Sequence, residues 1–146
     1  MAGLSQLSLK SRVELEPVKQ GVVVFVEGKP LAFRKNDALI PVLVNTESLN
    51  GLPRVVVDMG AVPHVVAGAD VMAPGIRKVE GVFGANQLLA IVDEKHGKYL
   101  AVGKALVDSG TMAATKKGKV IENLHFVGDE VWEAVKEFMR FSTASS

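Results

Sequence analysis

The spacing of apolar residues changes period several times along this chain, and the changes mark out its elements. Gly21 to Arg34, "GVVVFVEGKPLAFR", holds a Val/Phe run, the turn formers Glu27-Gly28-Lys29-Pro30, and a second short apolar run. That order predicts a β-hairpin. "ALIPVLV", Ala38 to Val44, is a further apolar run with Pro41 inside it. A proline cannot donate to a sheet ladder, so the run fits an edge strand or a short broken helix. "NTESLNGLP", Asn45 to Pro53, is rich in turn formers and is the best candidate boundary.

After that boundary the rhythm is clearer. "RVVVD", Arg54 to Asp58, is a short buried-type strand. A two-turn helix is predicted over about Gly60 to Ala67. Asp58 stands where a capping carboxylate helps, Pro63 fits only a first turn, and Gly68 suits the left-handed position that ends a helix. "VMAPGI" reads as a strand ending in a Pro-Gly turn. Strands over 88–92 and 99–107 flank the polar loop Asp93 to Lys98, with Gly97 its flexible point. "KGKVIENLHFVGD" is a basic turn followed by a strand. Val131, Trp132, Val135, Phe138 and Met139 then fall at helical spacing, acids first and Lys136 and Arg140 late, as a helix dipole favours. Several short strands with two short helices predict a small mixed β-barrel, mainly β.

Composition narrows the class. With 146 residues, 48% of them hydrophobic and 23% charged, the chain can build a core. It has no cysteine, which excludes disulfides and thiolate metal sites and agrees with a cytoplasmic location. No uncharged run approaches the roughly 18 residues needed to cross a bilayer, and "MAGLSQLSLKSR" lacks the order of a secretory signal. The net charge of +1 conceals a segregation. Arg77 to Lys119 holds 8 basic and 4 acidic residues, whereas Val120 to Arg140 holds 2 basic and 5 acidic. Such a field can steer a polyanion to one face, although solvated loops also carry lysines for no further reason.

Enzyme signatures are missing. His64, His96 and His125 are not at metal-ligand spacing, and no carboxylate cluster completes a site. His125, in a strand, reads as a core imidazole bonded to backbone. There is no G-x-S-x-G, no GxGxxG, and "SGTMAATKKGK" lacks P-loop spacing. One stretch stands out: "VDMGAVPHVVAGADVMAPGI", Val57 to Ile76, has three glycines, two prolines and only two charges. Glycine at Gly60, in the first turn of the short helix, lets a ligand reach unpaired, partly positive amides, and phosphate is their natural guest. Close helix-to-strand packing explains Gly60 and Gly68 equally well. The residues alone leave both readings open.

This stretch, followed by "AVGKALVDS" (Ala101 to Ser109) and "KGKVIENLHFVGDEVW" (Lys117 to Trp132), resembles the PUA domain, the RNA-binding module of pseudouridine synthases and archaeosine transglycosylases. "VVVFVEGKPLAFRKNDALIPVLVN" is similar to the segment before the PUA domain in translation factors of the malignant-T-cell-amplified-sequence type and their archaeal relatives. The resemblance implies a PUA-like pseudo-barrel over 53–140. It is preceded by a small, abbreviated α+β segment over 1–52 and followed by a frayed tail over 141–146. It also implies a groove lined by Gly60, Ala61, Val62 and His64, with Met72, Ala73, Pro74 and Gly75 from the next strand. Lys78, Lys95, Lys98, Lys104, Lys116, Lys117 and Lys119 become candidate phosphate contacts. The groove would read backbone, 2′-hydroxyls and shape. Tyr99 and Trp132 are candidate stacking platforms, with Trp132 better explained as core. The function implied is non-catalytic binding of structured RNA, a tRNA acceptor end or rRNA helix, in translation or ribosome assembly. The small ribosomal subunit is a candidate partner; no cofactor, metal, DNA or membrane is expected. Two alternatives stand beside it: an accessory subunit delivering RNA to a modifying enzyme, and a protein-interaction module without RNA binding.

Overall fold

The computed structural model describes residues 11–144. The chain divides into two compact units, one of Leu52–Val127 and one that joins the residues up to Gly51 with those from Gly128 on.

The first unit is an antiparallel four-stranded sheet in the order β1-β2-β3-β4, built from Val13–Val18, Gly21–Val26, Lys29–Lys35 and Ala38–Pro41. The hairpin expected over Gly21 to Arg34 is β2 and β3, turning through Glu27 and Gly28 with positive φ at both. β4 is an edge strand with Pro41 as its last residue, where a missing N–H costs no ladder bond. β1 is an addition to the sequence reading; its "VELEPV" alternates Val13 and Leu15 with Glu14 and Glu16. Against this sheet lies α3, Glu130–Ala144, whose Phe138 ring stacks on Phe25 at 3.8 Å between centroids. Val131 and Val135 are buried beside Val23, Phe25 and Phe33. The sequence reading assigned this helix to the 53–140 domain; its contacts group it with the amino-terminal strands instead. Its amphipathic face fits either sheet, so sequence alone did not decide between them. The helix runs to Ala144, past the tail expected from 141; residues 145–146, and the "MAGLSQLSLK" start, lie outside the described residues.

The second unit is a six-stranded sheet in the order β6-β10-β9-β8-β5-β7. Its strands are β5 Arg54–Val57, β6 Val71–Met72, β7 Ile76–Glu80, β8 Leu88–Asp93, β9 Tyr99–Ala105 and β10 Lys119–Phe126. The two edge strands, β6 and β7, are joined by the single 3-10 turn Ala73–Gly75. The connection draws the edges together and curls the sheet into a half-barrel around Val55, Val57, Leu89, Ile91, Ala101, Ile121 and Met112. β7 and the short helix α2, Ser109–Ala114, add to the elements read from the sequence. α2 starts at Asp108, whose carboxylate accepts from the Thr111 amide at 2.8 Å. His125 is fully buried in β10. The fold is mainly β, with three helices among the described residues.

Candidate nucleic-acid interface

β5 ends at Val57, and the chain turns before entering α1, Val62–Val65. Asp58 holds this turn. Its amide donates to the Gly75 carbonyl at 2.9 Å, and its Oδ1 accepts from the Ala61 amide at 2.8 Å. Asp58 thus braces the turn, but α1 begins at Val62 with Ala61 as its N-cap and no side-chain cap bond, so Gly60 sits in the turn before the helix rather than in its first turn. A Cβ on Gly60 would meet only Asp58 Oδ1, at 3.4 Å, an ordinary contact. Among the described residues, the amides of Met59, Gly60 and Val62 have no hydrogen-bond partner.

The far end of α1 is fastened more firmly. Gly68 adopts φ +96°, and a Cβ there would stand 3.0 Å from the Phe126 ring. Only glycine meets both conditions. Asn123, on β10, then pins the exit from the helix. Its Nδ2 donates to the carbonyls of Val65 and Ala69, both at 3.0 Å, and its amide donates to Asp70 Oδ1 at 2.8 Å. The other Asp70 oxygen lies 3.3 Å from Lys119 Nζ.

These ties hold open a cleft of about 330 Å³ between α1 and the segment 69–75. Ala61, His64, Val65, Ala69, Asp70, Val71, Met72 and Gly75 line it. Its floor is apolar; His64 and Asp70 supply the polarity. Gly75 lets the two walls approach, since a Cβ there would lie 3.2 Å from Ala61 Cβ. Of the sequence-named groove residues, Ala61, His64, Met72 and Gly75 line this cleft, and Met72 is 51% exposed. Ala73 is buried, its amide bonded to the Gly118 carbonyl at 2.8 Å. Val62 packs against the core cluster, and Gly60 and Pro74 are exposed outside the lining. Val65, Ala69, Asp70 and Val71 were not named from the sequence.

One lysine turn borders the segment Met72–Gly75, and a second lies at the end of β5. At the first, Lys119 pairs with Met72 across β10 and β6, and exposed Lys116 and Lys117 precede it. The second, the β8–β9 turn, abuts the end of β5, where the Glu94 amide donates to the Val57 carbonyl at 3.0 Å. Exposed Lys95, His96 and Lys98 belong to this turn. Buried Asp93 shapes it by accepting from the amides of Lys95, His96 and Lys98. The His96 amide bond, with those from Lys98 and Lys95, holds the Asp93 carboxyl below its usual range, against the opposing effect of burial. Arg77, beside the same turn, pairs with Glu94 at 2.9 Å.

Lys78 and Lys104, like Lys119, have carboxylate partners. Lys78 lies 3.5 Å from Glu80, and Lys104 lies 3.4 Å from Glu122 on the neighbouring strand. Tyr99 is half-buried. Trp132 belongs to the other unit, half-buried, with Lys136 Nζ 5.3 Å from its ring centroid. Among the described residues, no three His, Asp or Glu side chains gather at metal-binding distance, and no helix is long and apolar enough to cross a membrane.

Comparison with known proteins adds the family. The PUA domain model matches residues 53–127, which is the second unit almost residue for residue. Protein MJ1432 of Methanocaldococcus jannaschii is 40% identical over 124 residues, 84% of this chain and 76% of its own. Translation machinery-associated protein 20 of Saccharomyces cerevisiae is 30% identical over 131 residues, 84% of this chain and 72% of its own. The crystal structure of protein PH0734.1 from Pyrococcus horikoshii superposes with a TM-score of 0.77 at 34% identity, covering 92% of this chain and 85% of that one. A chain of an H/ACA ribonucleoprotein bound to a substrate RNA superposes over 66% of this chain and 29% of its own, with TM-score 0.54 and 29% identity. The half-barrel with its cleft beside α1, the span matched and these relatives agree: the chain belongs to the PUA-domain family.

Proposed function

We propose that this chain binds structured RNA, without catalysing a reaction, through the cleft between α1 and residues 69–75, and that it does so in the cytoplasm in the service of translation. The observation that carries this reading is an apolar cleft whose Asp70 meets Lys119 of the exposed turn Lys116–Lys119, with a second exposed lysine turn, Lys95–Lys98, at the end of β5 in the same unit. The apolar floor suits a base or ribose face, while the ammonium groups of the lysine turns suit phosphates. A tRNA acceptor end or an rRNA helix has the required form. The relative named for the translation machinery and the likeness to an RNA-bound ribonucleoprotein support the class of ligand.

A second reading, delivery of RNA to a separate modifying enzyme, draws on the same ribonucleoprotein likeness. Purification from native extract separates the two: small ribosomal subunits in the first case, an RNA-modifying enzyme in the second. The direct test of RNA binding is titration with folded tRNA at two salt concentrations. Affinity should fall steeply as salt rises, by a slope of roughly 0.7–0.9 per phosphate neutralised. Binding that is absent, or indifferent to salt, refutes the proposal.

A further inference from the structure

Among the described residues β1 is, like β4, an edge of the four-stranded sheet. The register Val13↔Val26 to Val18↔Gly21, with the Glu27 amide donating to the Arg12 carbonyl, sets the phase of its hydrogen bonds. Arg12, Glu14, Glu16 and Val18 exchange bonds with β2, so Val13, Leu15 and Pro17 turn their backbone groups outward. The outward edge therefore offers two donors, from Val13 and Leu15, and three acceptors. Pro17 supplies no donor and ends the usable stretch.

The side chains of the same three residues share one face with Val22, Val24 and Val26 of β2. Val13 is 49% exposed and Leu15 63%, both unusual for an edge strand facing water. The opposite face of β1 carries Glu14 and Glu16; Arg12 pairs with Glu14 at 3.3 Å, leaving Glu16 without an ion pair among the described residues. An extended strand laid on this edge would meet apolar residues on one face and carboxylates on the other.

A second copy of the chain fits poorly. Antiparallel pairing about Leu15 would set Glu14 opposite the partner copy's Glu16, like charge against like, and Val13 opposite a proline. We propose that β1 instead takes up an extended segment of a partner protein, adding it as a fifth strand, with apolar residues alternating with lysine or arginine. The ladder supplies affinity, Val13 and Leu15 select the apolar positions, and Glu16 selects the basic ones. This edge belongs to the unit outside the PUA half-barrel.

The test uses the full chain and a labelled eight-residue peptide alternating lysine and valine, followed by fluorescence anisotropy. Binding should be detectable below about 1 mM and weaken about tenfold or more when the peptide nitrogens are methylated or when Leu15→Pro removes a donor. The surface pair Glu14→Lys, Glu16→Lys, which leaves the backbone untouched, should reverse the preference toward a glutamate–valine peptide. Affinity for tRNA should stay unchanged in every variant. Equal binding of the methylated peptide, no binding of the lysine–valine peptide, or an unaltered preference in the charge-reversed chain would each overturn the proposal. So would a chain that dimerises until Leu15→Pro returns it to monomer, because the occupant would then be a second copy.

Discussion

Asn123 holds the wall of the cleft from another strand: its Nδ2 donates to the carbonyls of Val65 and Ala69, and its own amide donates to the Asp70 carboxylate. Replacing it with alanine leaves the two carbonyls short of a donor. Asn123→Ala should lower stability by about 1–3 kcal/mol, measured by urea unfolding. Gly68 acts by contrast through the absence of a side chain. Its φ of +96° and the Phe126 ring 3.0 Å from any added Cβ both resist substitution. Gly68→Ala should cost about 1–3 kcal/mol and weaken RNA binding as the helix end shifts. Gly60→Ala, with an open site in ordinary contact distance, should leave stability nearly unchanged.

At the scale of elements, the two lysine turns differ in how they are built. The β8–β9 turn is organised by Asp93, whose carboxyl is depressed chiefly by the His96 amide. A depressed carboxyl stabilises above its unfolded value and ceases to do so as pH falls through the folded one. The turn should therefore stay intact from neutral pH down to the ordinary carboxylate value of 3.8 and loosen only below it. Amide resonances of Lys95, His96 and Lys98 should titrate together with a midpoint under 3.8. The Lys116–Lys117 turn lacks such a brace, and its lysines are exposed. Lys116→Gln with Lys117→Gln should weaken tRNA binding for all sequences alike and make the salt slope shallower by about 2. Much of this architecture is legible in the sequence because it depends on local rules. Glu27-Gly28 turns the hairpin, Asp58 braces the turn before α1, and Gly68 ends the helix, each over a span of a few residues. Asp70 and Asn123 were not legible, because their bond joins positions 53 residues apart. β1 escaped notice since its glutamates and proline are poor strand formers despite the alternation, and α2 since six residues carry too little periodicity.

At the scale of the whole molecule, the two units carry different candidate surfaces. The half-barrel of Leu52–Val127 carries the cleft and both lysine turns, while the other unit carries the acidic helix α3 and the open edge of β1. The basic residues Arg77 to Lys119 all lie in the half-barrel. A near-neutral total of +1 is then no obstacle to a local polyanion site. The most direct test of this account is an amide chemical-shift map recorded while a folded tRNA acceptor stem is added to the full chain. The account predicts perturbations at Ala61, His64, Met72 and Gly75, extending into Lys95–Lys98 and Lys116–Lys119, with β1 to β4 unmoved. Perturbations centred on β1 to β4, or none at the cleft while the RNA binds, would contradict it.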